Sequence, residues 1–487
     1  MKEVTGNVEN RIYAIAGAIF LLTAWFSSGY NHFDEHFQII EFAGLKLGLT
    51  LEGNLPWEYG RMMRPAFQPL LVWIICKGLS VVEISDPFFI AICIRLFSAA
   101  LTFGCIHLLI RLYAPEILSK KLYHWFLLLS FFLWFVPYNG VRFSSETISG
   151  RVLLIGLALF LLRKQIRPAD YLMAGIVMGI AFILRYQVAF MILGFAAWLF
   201  FIRKCGISNI IIFVYGLILS FGIGVMADRW FYGQWVLTSW NYLYQNIFLD
   251  KASGFGVSPW WYYISETFLN AFPPLSIIYI LAVFLYIWAF PKDVLTWTIV
   301  PFLAIHFIIP HKEIRFLFPM IGLLPVMIIK TADLLLQRKD GVFPERRSVK
   351  ILTKGFWILN ILMLIILIFR PADEHIALYR KLWRDYQAPA ILYYMNDNPY
   401  HRAKVDVHFY KRENLTFRKV DSTQQIQTGG DTIALLVIGK PSIPAERRFD
   451  PLLVYASHPA WIKKFNINNW TERTSFWYIY EMNSANK

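Results

Sequence analysis

Two stretches of this chain gather ionisable side chains where their surroundings are otherwise apolar. The first is His32-Phe33-Asp34-Glu35-His36-Phe37-Gln38, followed by Glu41, directly after an apolar run. Two adjacent carboxylates between two histidines supply a general base or a set of metal ligands. The same residues also suit a capped helix at an interface, with Asp34 as N-cap and acids in the first turn. The second stretch is His311-Lys312-Glu313-Ile314-Arg315-Phe316, between two apolar runs. Its cations suit a phosphate, which Arg315 can engage through two parallel hydrogen bonds. The alternative is an interfacial anchor whose long side chains reach for water.

Three weaker clusters lie between them. Arg142-Phe143-Ser144-Ser145-Glu146 and Arg185-Tyr186-Gln187 each interrupt apolar sequence. A charge at such a depth lines a site or is tied to a partner, and Glu146 with Arg185 would make such a tie. The third runs from Asp228-Arg229-Trp230-Phe231-Tyr232-Gly233 to Trp260, Trp261 and Tyr262. Its aromatic residues fit an interfacial belt or a surface for stacking sugars, with Asn241 and Asn246 as partners for sugar hydroxyls.

The elements that must hold these residues are membrane helices. Of 487 residues, 57% are hydrophobic and 16% charged, against roughly half and a quarter in soluble domains. Apolar runs near 11–28, 88–112, 122–138, 148–162, 171–185, 188–202, 209–226, 272–290, 294–310, 316–332 and 352–369 predict about 11 transmembrane helices. The net charge of +15 comes largely from short basic loops, so it reads as a topology signal and excludes nucleic acid as the expected partner. Those groups are Arg111, Lys120 and Lys121; Arg163, Lys164 and Arg167; Arg203 and Lys204; and Arg338, Lys339, Arg346, Arg347 and Lys350. All four fall on one side if residues 67–82, bounded by prolines, form an interfacial or re-entrant helix.

That arrangement turns 29–65, 139–147, 227–265, 311–315 and the tail from about 370 outward. The tail is polar, with alternating runs at Val405–Tyr410, Ala434–Gly439 and Phe476–Tyr480. The expectation is a polytopic α-helical domain over 1–369 and a small non-cytoplasmic α/β domain over 370–487. Cys76, Cys93, Cys105 and Cys205 read as small buried hydrophobes. The first apolar run reads as a retained span, not a cleaved signal.

Taken in order, these blocks resemble the family 22 glycosyltransferases of the GT-C superfamily, the lipid-phosphomannose-dependent mannosyltransferases of N-glycan and glycosylphosphatidylinositol assembly. His32-x-Asp34-Glu35-His36-Phe37-Gln38 looks like the family's signature, with Phe33 where its eukaryotic members usually carry proline. His311-Lys312-Glu313-x-Arg315-Phe316-Leu317-x-Pro319 is similar to its most recognisable motif. The resemblance covers roughly residues 10–330 and implies an inverting transfer from a polyprenyl-phosphate-mannose donor to a glycan or glycolipid acceptor, giving an α-mannoside.

It further implies Asp34 as the base, with Glu35 orienting the acceptor or supporting Asp34. Lys312 and Arg315 would hold the departing phosphate, with His311 and Glu313 fixing those cations. His32, Arg142, Glu146, Arg185, Gln187 and Asp228 would support the site. A donor with one phosphate gives less need for a metal, so no metal and no cofactor is expected. The rival readings are a transferase using another lipid-phosphate sugar, a lipid-linked saccharide transporter, which should show internal repeats, and a membrane scaffold. The lack of outer cysteines and of an evident retention signal favours a bacterial inner membrane over the endoplasmic reticulum.

Overall fold

The apolar runs are mainly helical, because a backbone in hydrocarbon must satisfy its own hydrogen bonds, with breaks such as 133–134 and 271–274. The computed structural model describes residues 2–117, 119–337, 347–428, 432–439, 449–466, 469, 471 and 476–484. Arg338, Lys339 and Arg346 of the largest basic group lie outside the described residues. The chain divides into two compact units, one of residues 1–27, 57–75 and 92–370, the other of residues 28–56, 76–91 and 371–487.

In the first unit the helices begin and end on local signals. Ser144 accepts from Thr147 N–H at 3.2 Å and starts helix Ser145–Leu161. Asp170 accepts from Arg167 N–H at 2.8 Å and starts Pro168–Leu184, which carries proline at its first position. Gly233, at φ +75°, closes Ile207–Tyr232. By length and composition, Pro87–Glu116, Ile207–Tyr232, Ile314–Gln337 and Val349–Phe369 can each cross a membrane. Leu275–Ala289 and Val294–Ile308 pass the same test together, bent by 119°. Exposed Ile207, Ile211, Ile218, Ile223 and Met226 put an apolar stripe on one of these helices, as lipid contact requires. The protein is an integral membrane protein. Helix Phe67–Ser80 has 14 residues, so its length is about 21 Å against a hydrocarbon core of about 30 Å.

Small residues let the helices approach. A Cβ on Gly175 would lie 2.0 Å from the Phe213 carbonyl oxygen, and one on Gly216 would lie 2.4 Å from that of Leu172. Gly175 thus meets Gly216, Gly179 meets Ser220 and Gly224 meets Ile183, in a four-residue spacing on each helix. Two cysteines, Cys76 and Cys105, are buried; Cys93 and Cys205 are only partly so.

In the second unit, α1 (Lys2–Phe26) having ended, the chain enters α2 (Phe33–Phe37) and α3 (Ile40–Leu47). Its C-terminal part forms a five-stranded sheet of order β4-β1-β5-β7-β6: β1 (Ala390–Tyr394), β4 (Leu415–Lys419), β5 (Ile433–Ile438), β6 (Phe449–Ala456) and β7 (Tyr478–Ser484). β1 pairs in parallel with β4 and β5, and β7 runs antiparallel to both β5 and β6. Tyr393, Leu436, Ile438, Phe476 and Tyr478 pack one face of it. The alternation at 405–410 yields only a two-residue strand, β3 (Val405–Asp406), paired with β2 (His401–Arg402).

The glycine contacts give a direct test. Replacing Gly216 with Leu should destabilise the purified protein by at least about 1–3 kcal/mol through overpacking. Gly222→Leu, where a Cβ meets nothing within 4 Å, should leave the thermal midpoint in detergent unchanged.

Candidate active site

The residues singled out above fall in both units. In the first unit, Ser144 caps its helix and so places Glu146 in the first turn, where the helix dipole favours a carboxylate. Glu146 Oε1 accepts from Arg185 Nη2 at 3.0 Å and from Arg315 Nη1 at 3.1 Å. All three residues are buried. Arg185 also donates to Gln187 Oε1 at 2.5 Å and Ser145 Oγ at 3.2 Å, while Gln187 donates to the Tyr242 hydroxyl at 3.2 Å. Both guanidinium groups lie over the ring of Phe316, at 5.6 and 5.3 Å from its centroid. A Cβ on Gly150 would lie 2.4 Å from Pro319 Cα, so this glycine lets the Glu146 helix come against the 314–323 turn.

Arg315 is held from its other side by Glu313 in a two-pronged pair, Nε to Oε2 at 2.6 Å and Nη2 to Oε1 at 3.0 Å. His311 Nε2 meets the same Glu313 Oε1 at 3.1 Å, and its Nδ1 lies 3.1 Å from the Gly256 carbonyl oxygen. The Glu313 contact raises the His311 pKa above its ordinary 6.5 against the opposing effect of burial. Lys312 donates to the carbonyls of Ser258 at 3.1 Å and Ile309 at 2.5 Å. Burial lowers its pKa. Backbone carbonyls therefore fix this ammonium, with no carboxylate of its own among these two contacts.

Asp228 and Arg142 serve other junctions. Asp228 accepts from Ala66 N–H at 2.8 Å and from the Thr238 hydroxyl, which in turn meets the Tyr186 hydroxyl at 2.5 Å. It thereby joins the residue beside Arg185 to the turn before helix Phe67–Ser80. Arg142 donates to the Ser27 carbonyl and, at 3.0 Å, to the Ser27 hydroxyl, and lies over the Tyr138 ring. Asn241 donates to the carbonyls of Arg61 and Met62 at 3.3 and 3.1 Å, and Asn246 to that of Tyr242 at 3.0 Å. Both amides thus hold backbone.

In the second unit, α2 carries Asp34 and Glu35. Its N-cap is His32, not Asp34: His32 Nδ1 accepts from Asp34 N–H at 3.2 Å, with His32 in an extended backbone conformation. Asp34 Oδ1 lies 3.7 Å from that ring nitrogen, and Glu35 accepts from Asn31 N–H at 2.9 Å. Glu35 is buried, whereas the Asp34 side chain keeps 20% of its surface exposed. His36 stacks between Tyr30 and Tyr410 and meets Glu41 at 2.9 Å. Burial would raise the Glu41 carboxyl, but His36, the Thr50 hydroxyl and the Phe409 amide outweigh it and hold the pKa below its usual value.

Three participants were missed in the sequence. The Ser258 carbonyl that holds Lys312 has no side-chain signature. Phe316 under both arginines was noted only as part of a motif. Tyr410 lies 374 positions beyond His36, too far for any local pattern. Among the described residues, no three or more His, Cys, Asp or Glu side chains are grouped to hold a metal.

Residues 12–413 match the model of the Alg9-like mannosyltransferase family. Alpha-1,2-mannosyltransferase ALG9 of Saccharomyces cerevisiae is 37% identical over 105 residues, 20% of this chain and 18% of that protein. Mannosyltransferase APTG1 of Arabidopsis thaliana is 26% identical over 330 residues, 66% of this chain and 57% of that protein. GPI alpha-1,2-mannosyltransferase 3 of Bos taurus is 24% identical over 294 residues, 59% of this chain and 52% of that protein. The chain thus spans little more than half the length of these relatives at most. ArnT from Cupriavidus metallidurans, solved bound to undecaprenyl phosphate, is similar with a TM-score of 0.54 at 10% identity, over 98% of each chain. That likeness shows a fold of the GT-C type.

Two outcomes follow from the geometry. Glu146→Ala leaves two buried guanidinium groups short of a carboxylate and should destabilise the protein by about 3–5 kcal/mol; Arg185→Ala in the same background should recover part of that in a thermal-denaturation cycle. For His311, a raised pKa means that its pairing with Glu313 contributes fully below pH 6.5 and is lost as pH rises through the folded value. The stability difference between wild type and Glu313→Gln should therefore shrink as pH rises past 6.5. It should not vanish, because Arg315 keeps its charge.

Proposed function

Because the chain belongs to the Alg9-like mannosyltransferase family, we propose that it transfers mannose from a polyprenyl-phosphate carrier to a glycan or glycolipid acceptor on the non-cytoplasmic face of its membrane. The observation that carries this reading is a buried group of cations. Arg185 and Arg315 share Glu146, Arg315 also pairs with Glu313, and the adjacent Lys312 is buried with its ammonium on the carbonyls of Ser258 and Ile309. Cations gathered in this way suit a phosphate. The undecaprenyl phosphate bound to ArnT supports a lipid phosphate as that anion.

In this mechanism the Asp34 carboxylate takes the proton of an acceptor hydroxyl as its oxygen attacks the anomeric carbon. Glu35 supports Asp34 or orients the acceptor. The bond from the anomeric carbon to the phosphate oxygen breaks as the new one forms, so the configuration inverts and a β-linked donor yields an α-mannoside. Negative charge grows on the leaving phosphate, where Lys312 and Arg315 meet it. His311 and Glu313 set the position of Arg315; Arg185, Gln187 and Glu146 do so from the other side. These cations take the part a metal plays for a diphosphate, so the transfer needs none. The shorter apolar helices, among them Pro168–Leu184 and Tyr186–Ile202, complete a bundle of about 11 crossings when tilt and flanking residues are allowed.

The test is mannosyl transfer by purified protein in nanodiscs, with labelled polyprenyl-phosphate-mannose and a lipid extract as acceptor pool. Wild type should transfer label with or without EDTA, and Asp34→Asn should lose about 10²–10⁴-fold in kcat while still binding donor. Full turnover by a folded Asp34→Asn protein would remove Asp34 as the base. Absence of transfer by wild type with every acceptor would remove the donor assignment.

A further inference from the structure

A five-residue helix cannot hold a catalytic carboxylate in place by itself, since isolated helices need roughly 12–15 residues to be even marginal in water. The segment that carries Asp34 is held instead by the C-terminal part of its own unit. At its start, the Ser28 carbonyl accepts from Ala372 N–H at 2.8 Å and Asp373 N–H at 3.2 Å. Gly29, at φ +90°, sits so close that a Cβ would lie 2.7 Å from that of Asp373. Along the helix, the Arg402 guanidinium lies 5.5 Å from the centroid of Phe33, the residue before Asp34.

The tightest junction is at Glu41. This carboxylate is fully buried and receives four hydrogen bonds, from His36 Nε2 at 2.9 Å, the Thr50 hydroxyl at 2.5 Å, His408 N–H at 2.8 Å and Phe409 N–H at 3.0 Å. As Glu41 is the acceptor, His36 carries its proton on Nε2. The His36 ring is clasped face to face by Tyr30, centroids 4.7 Å apart and 20° between planes, and by Tyr410 at 5.6 Å and 10°. One end of α2 is therefore fixed to residues 408–410 by a charged acceptor and a three-ring stack.

We propose that Glu41, His36 and Tyr410 are positioning residues for Asp34, and that the 400–410 stretch acts as a clamp on the helix that bears the base. This rests on the reading in which Asp34 is that base. It assigns a role in turnover to the C-terminal segment, where the alternating sequence alone suggested a strand. A misplacement of about 1 Å in a reacting group costs on the order of 10²-fold in rate, so loosening the clamp should appear in kcat.

The experiment compares Glu41→Gln, Tyr410→Leu and Tyr410→Phe with wild type and Asp34→Asn in full-length protein in nanodiscs. It reads kcat, donor KM and hydrogen exchange at the amides of residues 31–38. Glu41→Gln and Tyr410→Leu should lower kcat about 10–100-fold, leave donor KM within about twofold, and speed exchange across 31–38. Tyr410→Phe keeps the stacked ring and should retain wild-type turnover, which a need for the hydroxyl would not allow. Wild-type kcat in both Glu41→Gln and Tyr410→Leu, with Asp34→Asn inactive, would overturn the clamp and leave the base assignment standing. Full activity in Asp34→Asn would remove the base assignment and the clamp's purpose with it. Unaltered exchange across 31–38 in whichever of the two variants folds would overturn the clamp whatever the turnover.

Discussion

One carboxylate oxygen, Glu146 Oε1, shared by two guanidinium groups, is the constraint around which the polar part of the helical unit is organised. Taking that carboxylate out of water costs several kcal/mol, which only well-placed cations offset. Bringing them requires three separate elements to converge: the first turn of Ser145–Leu161, the break after Pro168–Leu184, and the turn that begins at Ile314. Each then needs its own fixing. Gly150 removes the side chain that would keep the first and third apart, Gln187 and Ser145 orient Arg185, and Glu313 orients Arg315. Phe316 closes the group from below with its ring face.

A second buried carboxylate, Glu41, shows how different the outcome is when the donors are mostly neutral. Two backbone amides, a hydroxyl and an imidazole satisfy it. Nothing is left over, so the contact is a tie and invites no ligand. Around Glu146 and Glu313 the donors include two guanidinium groups, and the adjacent Lys312 donates to backbone carbonyls. Burying a charge costs free energy that its partners must offset.

Much of this was legible in the sequence because ionisable residues stand out in apolar surroundings. The blocks at 32–38, 142–146, 185–187, 228–233 and 311–316 were visible for that reason, as was the option of a tie between Glu146 and Arg185. The second partner, Arg315, was not, since it lies 169 positions from Glu146 and no periodicity links them. Asp34 looked like a helix cap, yet the helix starts two residues earlier than that reading requires, and the His32 ring does the capping. Asn241 was read as a hydroxyl partner for a sugar. Its amide instead serves carbonyls beside Met62, whose φ of +46° no sequence rule announces. At 405–410 the alternation was real, but the amides of His408 and Phe409 are drawn to Glu41 and so are lost to a sheet. Local pattern gave way to a buried charge.

Two of the buried arginines outside the cluster, Arg95 and Arg142, follow the same rule of charge seeking dipole. α1 ends at Phe26, and the last turn of any helix leaves carbonyls without amide partners and a partial negative charge. Arg95 donates to the Ala24 carbonyl at 2.7 Å, and Arg142 donates to that of Ser27. Two cations from farther along the chain, Arg95 in helix Pro87–Tyr113 and Arg142 in the segment before Ser145–Leu161, therefore close the end of α1. The Ser98 hydroxyl adds a bond to the Arg142 carbonyl at 2.8 Å, which fixes the backbone two residues before the Ser144 cap. Arg142 thus stands between a helix terminus and the turn that presents Glu146. Its part in the site comes through backbone, because the register of the capped turn depends on where Arg142 is held. A net charge of +15 that suggests loose surface basicity in a soluble protein is, at these positions, spent inside the fold on helix ends.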